Sequence, residues 1–442
     1  MASLRAVRFI GGETKQSLRE RLVAWGALLV VGFFGLVSYG QFERDARAGA
    51  FGDALNYIAM SERTFAPVDA PFSFRLLTPW LVRHASALTG IAPDTVWLAL
   101  TFAATTGALV VVYEWMRGPL RVSPSTSLFV TLLLSVTFYY TSYSYGNFWL
   151  VDPLNNLACA LALYFAFRGR LVLFGLVIAV GFLNKEAVLL MAPLYPLVAW
   201  GRAGRLRDRA VLSGGGVAGA LVLAYLGFRA WAAAQIGPHG THLDGDVVAL
   251  AREVLGSRAG QEHLAVFGVF GFLWVVFAYG LHQQFQRAGM RSELLLASGY
   301  VFAICAASRL QATDTERVFV MLAPVVAGVA ATVFDSWRGE ARTLWLYVLG
   351  AFYAALNFSW VTGQTAVLVS LGTVVGFAYL VHTQSARSGT DDTNDADGTD
   401  GTDDADDRSS RADLAAVLGA RTTRPAPVHH RPRTADSLVP QV

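Results

Sequence analysis

The stretch Asp94–Met116, DTVWLALTFAATTGALVVVYEWM, decides the fold of this chain. It is apolar apart from acidic residues near its two ends, and it exceeds the ~20 residues that an α-helix needs to cross a ~30 Å hydrocarbon core. Lipid offers no hydrogen bonds, so a crossing segment must pair its own backbone groups as a helix. Comparable runs recur along the 442 residues, of which 54% are hydrophobic and 15% charged. The sequence therefore predicts an all-α, polytopic membrane helical bundle.

Apolar runs of this kind predict about twelve membrane-spanning helices. We interpret the first run, Leu22–Gly40, as a retained span, since it is long for the apolar region of a signal peptide and lacks a small-x-small cleavage site. The others are Asp94–Met116, Ser125–Tyr143, Phe148–Phe167, Leu171–Leu183, Ala187–Trp200, Ala210–Trp231, Leu264–Leu281, Leu294–Leu310, Val318–Phe334, Leu344–Trp360 and Thr365–His382.

Arginine occurs in alternate loops between these runs. Short loops of the other set, such as Tyr143–Asn147 and Thr362–Gln364, carry no Lys or Arg. Because positive charge accumulates on the cytoplasmic side, the pattern predicts a cell-membrane protein with both termini in the cytoplasm. The net charge of +3 by itself says nothing about nucleic acid, and no nucleic-acid partner is predicted. The arginine-bearing loops hold Arg117 and Arg121, Arg168 and Arg170, Arg202 to Arg209, Arg287 and Arg291, and Arg338 and Arg342.

The apolar stretch Leu171–Trp200 is interrupted by Asn184, Lys185 and Glu186. A single helix through this stretch would place the arginines that precede it and those that follow it on opposite sides of the membrane. The charge rule therefore predicts a helical hairpin. Lys185 and Glu186 would then lie at membrane depth, which is tolerable only in a polar or water-filled cavity.

The chain changes character at its C-terminal end. Asp391–Asp407 is rich in Asp, Thr and Gly, and Arg421–Arg433 is basic with Pro and His. Neither segment can bury a core, so residues 1–384 are predicted to form the membrane domain and residues 385–442 a disordered, charged cytoplasmic tail.

Two further groups of residues are possible metal or disulfide sites by residue type alone. Cys159 and Cys305 lie inside apolar runs, which predicts two small core residues rather than a disulfide. His239 and His242 have a spacing that could serve a metal, but a solvated loop explains them better.

Charged and amide side chains gather on the predicted non-cytoplasmic side. Asp53 and Asp152 stand where helices begin, so helix capping and a functional carboxylate both explain them. Thr313 to Glu316 has the pattern of a capping box. Arg317 in a first helical turn opposes the helix dipole, which predicts a nearby anion, either Asp314 or a bound phosphate. The same side holds Arg75, Asn155, Asn156, Lys185 and Glu186.

Several of these segments together resemble the GT-C superfamily of membrane glycosyltransferases. They are Gly52–Tyr57 (GDALNY), Pro71–Leu81 (PFSFRLLTPWL), Leu183–Glu186 (LNKE) before a proline-containing span, and Asp314-x-x-Arg317 before Pro324. The resemblance runs from the first span to the span after Arg317. It implies a cell-envelope enzyme that transfers a sugar, on the outer face, from a polyprenyl-phosphate carrier to a lipid, glycan or protein acceptor.

The resemblance also implies site residues. In that superfamily an acidic residue of the first outer loop is catalytic, and here this is Asp53. An acceptor hydroxyl must lose a proton as it attacks the sugar, which suits a carboxylate base, and Asp152 is a second catalytic candidate that would orient a substrate. The departing phosphate gains negative charge, which Lys185, Arg317 and Arg75 are expected to bind. Supporting roles are assigned to Tyr57, Glu186 and Asp314.

Two departures from the superfamily leave points open. Asp53 lacks the adjacent acidic partner found in some branches, and no large soluble domain follows the last span. Acceptor identity and dependence on a divalent metal therefore stay open, and no other cofactor is predicted. The alternative class is a transporter or flippase for a sugar or lipid-linked substrate, typically built from inverted repeats. The long loop after the first span has no later counterpart, which favours the transferase.

Overall fold

The computed structural model describes residues 15–39, 52–66, 68, 71–236, 256, 266–309, 315–337 and 340–357, and single positions at 372, 375, 376, 378 and 379. These residues are helical or lie in turns, and no strand occurs among them, which confirms the predicted all-α class. Most of the predicted span Thr365–His382, the tail beyond residue 384, and Asp314, His239 and His242 lie outside the described residues.

The described helices are numbered in chain order. They are α1 (Lys15–Tyr39), α2 (Asp53–Glu62), α3 (Leu77–Thr89), α4 (Pro93–Arg117), α5 (Pro124–Ser135), α6 (Ser142–Gly146), α7 (Asp152–Phe167), α8 (Leu171–Asn184), α9 (Leu194–Ala203), α10 (Arg209–Ile236), α11 (Leu273–Ala288), α12 (Glu293–Arg309), α13 (Thr315–Phe319), α14 (Ala323–Ser336) and α15 (Glu340–Asn357). Short 3₁₀ turns lie at Phe72–Phe74, Glu186–Met191, Gly289–Arg291 and Val320–Leu322.

Among the described residues, 4 helical segments are long and apolar enough to cross a membrane. A fifth is reached if α11 and α12, which are bent by 107° at a short break, count as one span. The other apolar helices are shorter or interrupted, so the total of about twelve spans stays a prediction. The long segments are Leu18–Ser38, Pro93–Arg117, Arg209–Ile236 and Glu316–Ser336.

The predicted span Ser125–Tyr143 is not one helix. Helix α5 ends at Ser135 and α6 begins at Ser142. In the break, the Thr141 hydroxyl donates to the Ser135 carbonyl, and the Thr137 hydroxyl donates to a carbonyl four residues earlier. Hydroxyl side chains that take over carbonyls in this way compete with the helical ladder, which hydropathy alone does not reveal.

Two other predicted spans also differ from the helices that the structure contains. Phe148–Phe167 becomes helical only at Asp152, where the following proline suits a first helical turn. Val318–Phe334 is divided by the 3₁₀ turn Val320–Leu322. Pro324 follows that turn, and because it has no N–H and its ring clashes with the preceding turn, it breaks the helix there.

The hairpin predicted from the arginine pattern is confirmed by contacts between its two ends. The Arg202 Nη2 group donates to the Phe167 carbonyl at 3.0 Å, and the Tyr195 hydroxyl donates to the Gly169 carbonyl at 3.1 Å. A continuous helix over this stretch would separate such residues by roughly 40 Å or more. The chain therefore reverses between α8 and α9, and Lys185 lies at the apex.

The centre of the bundle is the segment Glu316–Ser336, where 83% of the residues in an 18-residue apolar stretch are buried, whereas the corresponding share in α10 is only 11%. Helix α14 approaches α4 closely at Gly328, where an added Cβ would lie 2.2 Å from the Trp115 ring. Small residues that let helices approach are typical of membrane interfaces. Helix α10 instead presents an apolar face that the described chain leaves uncovered.

Gly328→Ala is expected to lower stability by about 1–3 kcal/mol, because the added methyl group overpacks the contact with Trp115. The measurement is thermal unfolding of the purified protein in detergent. Gly219→Ala on α10 is the matched control, since no atom lies within 4 Å of its added Cβ. That control should be neutral or slightly stabilising, because alanine favours a helix interior over glycine. Equal melting of the two variants would contradict the packing account.

Candidate active site

Asp53 opens helix α2 through an unusual backbone conformation at the residue before it. Gly52 has φ 56° and ψ −125°, a combination that is essentially restricted to glycine. Gly52 also occupies the cap position of α2, so the capping interpretation of Asp53 is wrong. The Asp53 Oδ2 atom instead accepts a hydrogen bond from Nη1 of Arg317 at 2.8 Å, and its side chain is 27% exposed.

Asp152 likewise is not a cap, because Val151 holds the cap position of α7. Its Oδ2 accepts from Arg317 Nη2 at 2.6 Å and Nε at 3.1 Å, and its Oδ1 accepts from Lys185 Nζ at 2.5 Å. The Asp152 side chain is 14% exposed. This carboxylate is therefore held between two cations, with charge-assisted hydrogen bonds on both oxygens.

Arg317 resolves the conflict that the sequence raised at the first turn of α13. Among the described residues, two carboxylates from other helices supply anionic partners, and the predicted partner Asp314 lies outside the described residues. Asp53, Asp152, Lys185 and Arg317, here called the charge quartet, thus meet at one end of the bundle. Side-chain exposure is 12% for Arg317 and 17% for Lys185, so the quartet is largely shielded from solvent.

Asn184 is a site residue whose role the sequence did not reveal. Its Nδ2 donates to the Val151 carbonyl at 2.9 Å, and its Oδ1 accepts from the Thr78 hydroxyl. The side chain is fully buried. It therefore ties the hairpin apex to α3 and to the residue before Asp152, which fixes Lys185 against that carboxylate. The signal was its place in the Asn-Lys-Glu interruption of an apolar run, where an amide must find partners.

A second cluster joins the first outer loop to the same apex. Arg75 binds both oxygens of Glu186 through Nε, at 3.0 Å, and Nη2, and its Nη1 donates to the Tyr57 hydroxyl at 2.7 Å. Arg75 is 7% exposed, and Tyr57 is fully buried. Burial raises the pKa of the Tyr57 phenol well above its usual range, although the Arg75 charge opposes the shift, so this tyrosine stays protonated.

Lys185 and Glu186, which are neighbours at the hairpin apex, have different partners. Lys185 is directed to Asp152, whereas Glu186 is directed to Arg75. The two neighbours in the chain therefore face different partners. Arg75 already has protein partners on three nitrogens, so its predicted contact with a phosphate stays a prediction.

A narrow crevice of about 10 Å³ adjoins the charge quartet. Its wall contains Asp152 and Arg317 together with the amide residue Asn156 and the aromatic residues Tyr139 and Tyr143. Carboxylate, amide and aromatic groups therefore line one crevice beside the quartet.

Within the described residues, no group of three or more His, Cys, Asp or Glu side chains could hold a metal ion. Cys159 and Cys305 are both buried and free, as the sequence predicted. The described side chains at the site are carboxylates, cations, amides and phenols.

The chain is similar to a known protein in its fold. No protein-family model matches the chain, and no curated protein matches it. Among solved structures, ArnT from Cupriavidus metallidurans bound to undecaprenyl phosphate superposes with a TM-score of 0.51 at 15% identity, over 83% of this chain and 77% of that one. The chain has a GT-C fold. At this identity the GT-C likeness concerns the fold, so the function must be argued from the site.

Proposed function

We propose that this chain is a membrane glycosyltransferase that moves a sugar from a polyprenyl-phosphate donor to a lipid, glycan or protein acceptor. The observation that carries the proposal is the charge quartet, which brings two carboxylates and two cations together at one end of a GT-C fold. The fold neighbour bound to undecaprenyl phosphate supports a lipid phosphate as the donor class.

Asp53 is the preferred base because it accepts fewer hydrogen bonds than Asp152 and is more exposed. It has one hydrogen bond from Arg317 and is 27% exposed, whereas Asp152 holds three such bonds and is 14% exposed. In the reaction, the acceptor oxygen bonds to the anomeric carbon, the bond from that carbon to the phosphate oxygen breaks, and the hydroxyl proton moves to Asp53. A base placed in this way supplies ~10²–10⁴-fold in rate.

The quartet also couples this proton to the leaving group. Protonation of Asp53 removes one of the two negative charges that hold Arg317. At the same moment the phosphate changes from a diester to a monoester and gains negative charge. Arg317, released from Asp53, and Lys185 are then placed to stabilise that charge. The electrostatic stabilisation grows as the bond to the phosphate breaks, so it is stronger in the transition state than in the ground state, as catalysis requires.

The proposed site faces outside the cell. The arginine-bearing loops lie at the opposite end of α7 and of the α8–α9 hairpin from the quartet. Positive charge is typically retained in the cytoplasm, which supports an outward orientation for the quartet.

Cysteine labelling tests this orientation. Leu88→Cys is expected to react with a membrane-impermeant thiol reagent on intact cells, because Leu88 is 86% exposed at the quartet end of the bundle. Arg205→Cys, in the loop between α9 and α10, should react only after permeabilisation. The native cysteines are buried and give little background. Labelling of position 205 from outside would contradict the proposed orientation.

A strain that lacks the chain tests the function itself. Mass spectrometry of its envelope glycans and lipid-linked sugars should show one glycan missing a sugar and the matching polyprenyl-phosphate sugar accumulating. Wild-type protein should restore the glycan, and Asp53→Asn at equal abundance should not. An unchanged glycan profile with a redistributed lipid-linked sugar would instead indicate a flippase.

A further inference from the structure

Arg229 is a cation of the same region that the proposed mechanism does not use. It lies on α10, and its guanidinium carbon is 3.6 Å from the centre of the Phe74 ring. Phe74 directly precedes Arg75, the partner of Glu186. Arg229 Nη1 also donates to the Tyr225 hydroxyl at 3.4 Å, and Tyr225 packs on Phe182 near the hairpin apex.

The charge of Arg229 is not neutralised by the part of the chain that the structure describes. Arg75, Lys185 and Arg317 each form an ion pair with a carboxylate at this end of the bundle. Arg229 contacts only an aromatic ring and a phenol there. A charged residue on an apolar membrane helix is costly, which favours an anionic partner or an escape to the interface.

Among the described residues, the contacts leave available the part of the hydrogen-bonding edge of this guanidinium that does not face Tyr225. Phe74 covers the face of the group, and stacking on a face consumes no N–H. A planar guanidinium binds a phosphate in bidentate fashion through the edge that remains. The aromatic contact thus orients the group without satisfying its donors.

The helix that carries Arg229 has apolar side chains that the described part of the chain leaves uncovered. Leu223 is 71% exposed, Leu226 is 56% exposed and Trp231 is 52% exposed on the same helix. A ligand that meets Arg229 from this side therefore combines an anionic head with an apolar chain. A prenyl phosphate has both parts.

Given the proposed function, we infer that Arg229 binds the phosphate of the lipid-linked donor at the lipid-facing edge of the site, before the donor reaches Lys185 and Arg317. Arg229 is then a donor-binding residue with no part in the bond-breaking step. It supplies a cation on the membrane side of the loop that carries Arg75. Its effect should fall on donor affinity rather than on turnover.

The test uses the full-length protein in lipid nanodiscs, titrated with polyprenyl phosphate without a sugar. Arg229→Gln is expected to weaken binding about tenfold, as loss of one charge-assisted contact predicts. Arg229→Lys should keep most of the affinity, since the charge remains. Arg209→Gln, at the other end of the same helix, is the matched control and should bind like wild type. In transfer assays, Arg229→Gln should raise the donor KM by a similar factor with kcat near wild type.

Several results would overturn the inference. One is an unchanged affinity in Arg229→Gln, and another is failure of wild type to bind polyprenyl phosphate. A third is an equal loss of kcat and melting temperature in the Gln and Lys variants, which would make Arg229 a structural clamp on Phe74. Titrations with inorganic phosphate and with phosphatidylglycerol nanodiscs distinguish a prenyl phosphate from a free phosphate and from an ordinary lipid headgroup. An equal effect on phosphatidylglycerol would make Arg229 a general lipid anchor and reject donor binding.

The inference and the proposed function can fail separately. Wild-type protein that binds polyprenyl phosphate through Arg229 but transfers no sugar would contradict the transferase and leave the inference intact. Sugar transfer by wild type, with an unchanged donor KM in Arg229→Gln, would contradict the inference and leave the transferase intact.

Discussion

Replacing Asp53 with Asn is expected to lower sugar transfer by ~10²-fold or more, with little change in donor binding. The amide keeps the shape of the side chain but cannot take the acceptor proton. The amide is also neutral throughout, so Arg317 is free of residue 53 before the reaction starts, and proton transfer no longer adds to the stabilisation of the departing phosphate. The measurement is turnover of purified variants with a polyprenyl-phosphate sugar, with melting temperatures recorded in parallel.

The matched control is Asp94→Asn. Asp94 also lies in the first turn of a helix, and its Oδ1 accepts from Trp149 Nε1 at 3.0 Å near the same end of the bundle. An amide oxygen can accept that bond, so activity should stay close to wild type. If Asp53→Asn turned over at the wild-type rate, Asp53 would not be the base, and Asp152 would become the candidate.

The sequence predicted which polar residues share one end of the bundle. Hydrophobic runs and the arginine pattern located the helix ends, and the hairpin at Lys185 followed from charge alone. Both are strong signals, because a membrane crossing needs a long apolar run and tolerates few charges. The structure brings Asp53, Asp152, Lys185 and Arg317 together as those helix ends suggest.

The sequence did not predict the partners within that group. Capping rules consider a residue and its near neighbours, so they offered only local roles for Asp53 and Asp152 beside the functional ones. Asp53 and Arg317 are 264 positions apart, and no local rule joins them. The breaks at Thr137 and before Pro324 were missed for a related reason, since hydropathy measures lipid compatibility rather than the continuity of the backbone ladder.

Replacing Asp152 with Asn should act mainly on stability, in contrast to Asp53. The carboxylate separates Lys185 from Arg317, and an amide in its place would turn donor groups toward two cations. Arg317 would keep Asp53, but Lys185 would lose the carboxylate that the described structure gives it. Removing one partner of a buried pair costs ~3–5 kcal/mol, and partial exposure of these side chains lowers our expectation to about 2–4 kcal/mol.

A second variant separates the stranded charge from any direct role of Asp152 in the reaction. Lys185→Gln combined with Asp152→Asn removes the cation that the single change leaves unpaired, so melting temperature and membrane abundance should recover in part. Transfer should stay low, because both a carboxylate and a phosphate-binding cation are missing. If Asp152→Asn melted like wild type, the quartet would not be a stability element. If that stable variant were also inactive, Asp152 would act on the substrate itself. The amide differs from the carboxylate mainly in its charge, so the reaction would then need that charge.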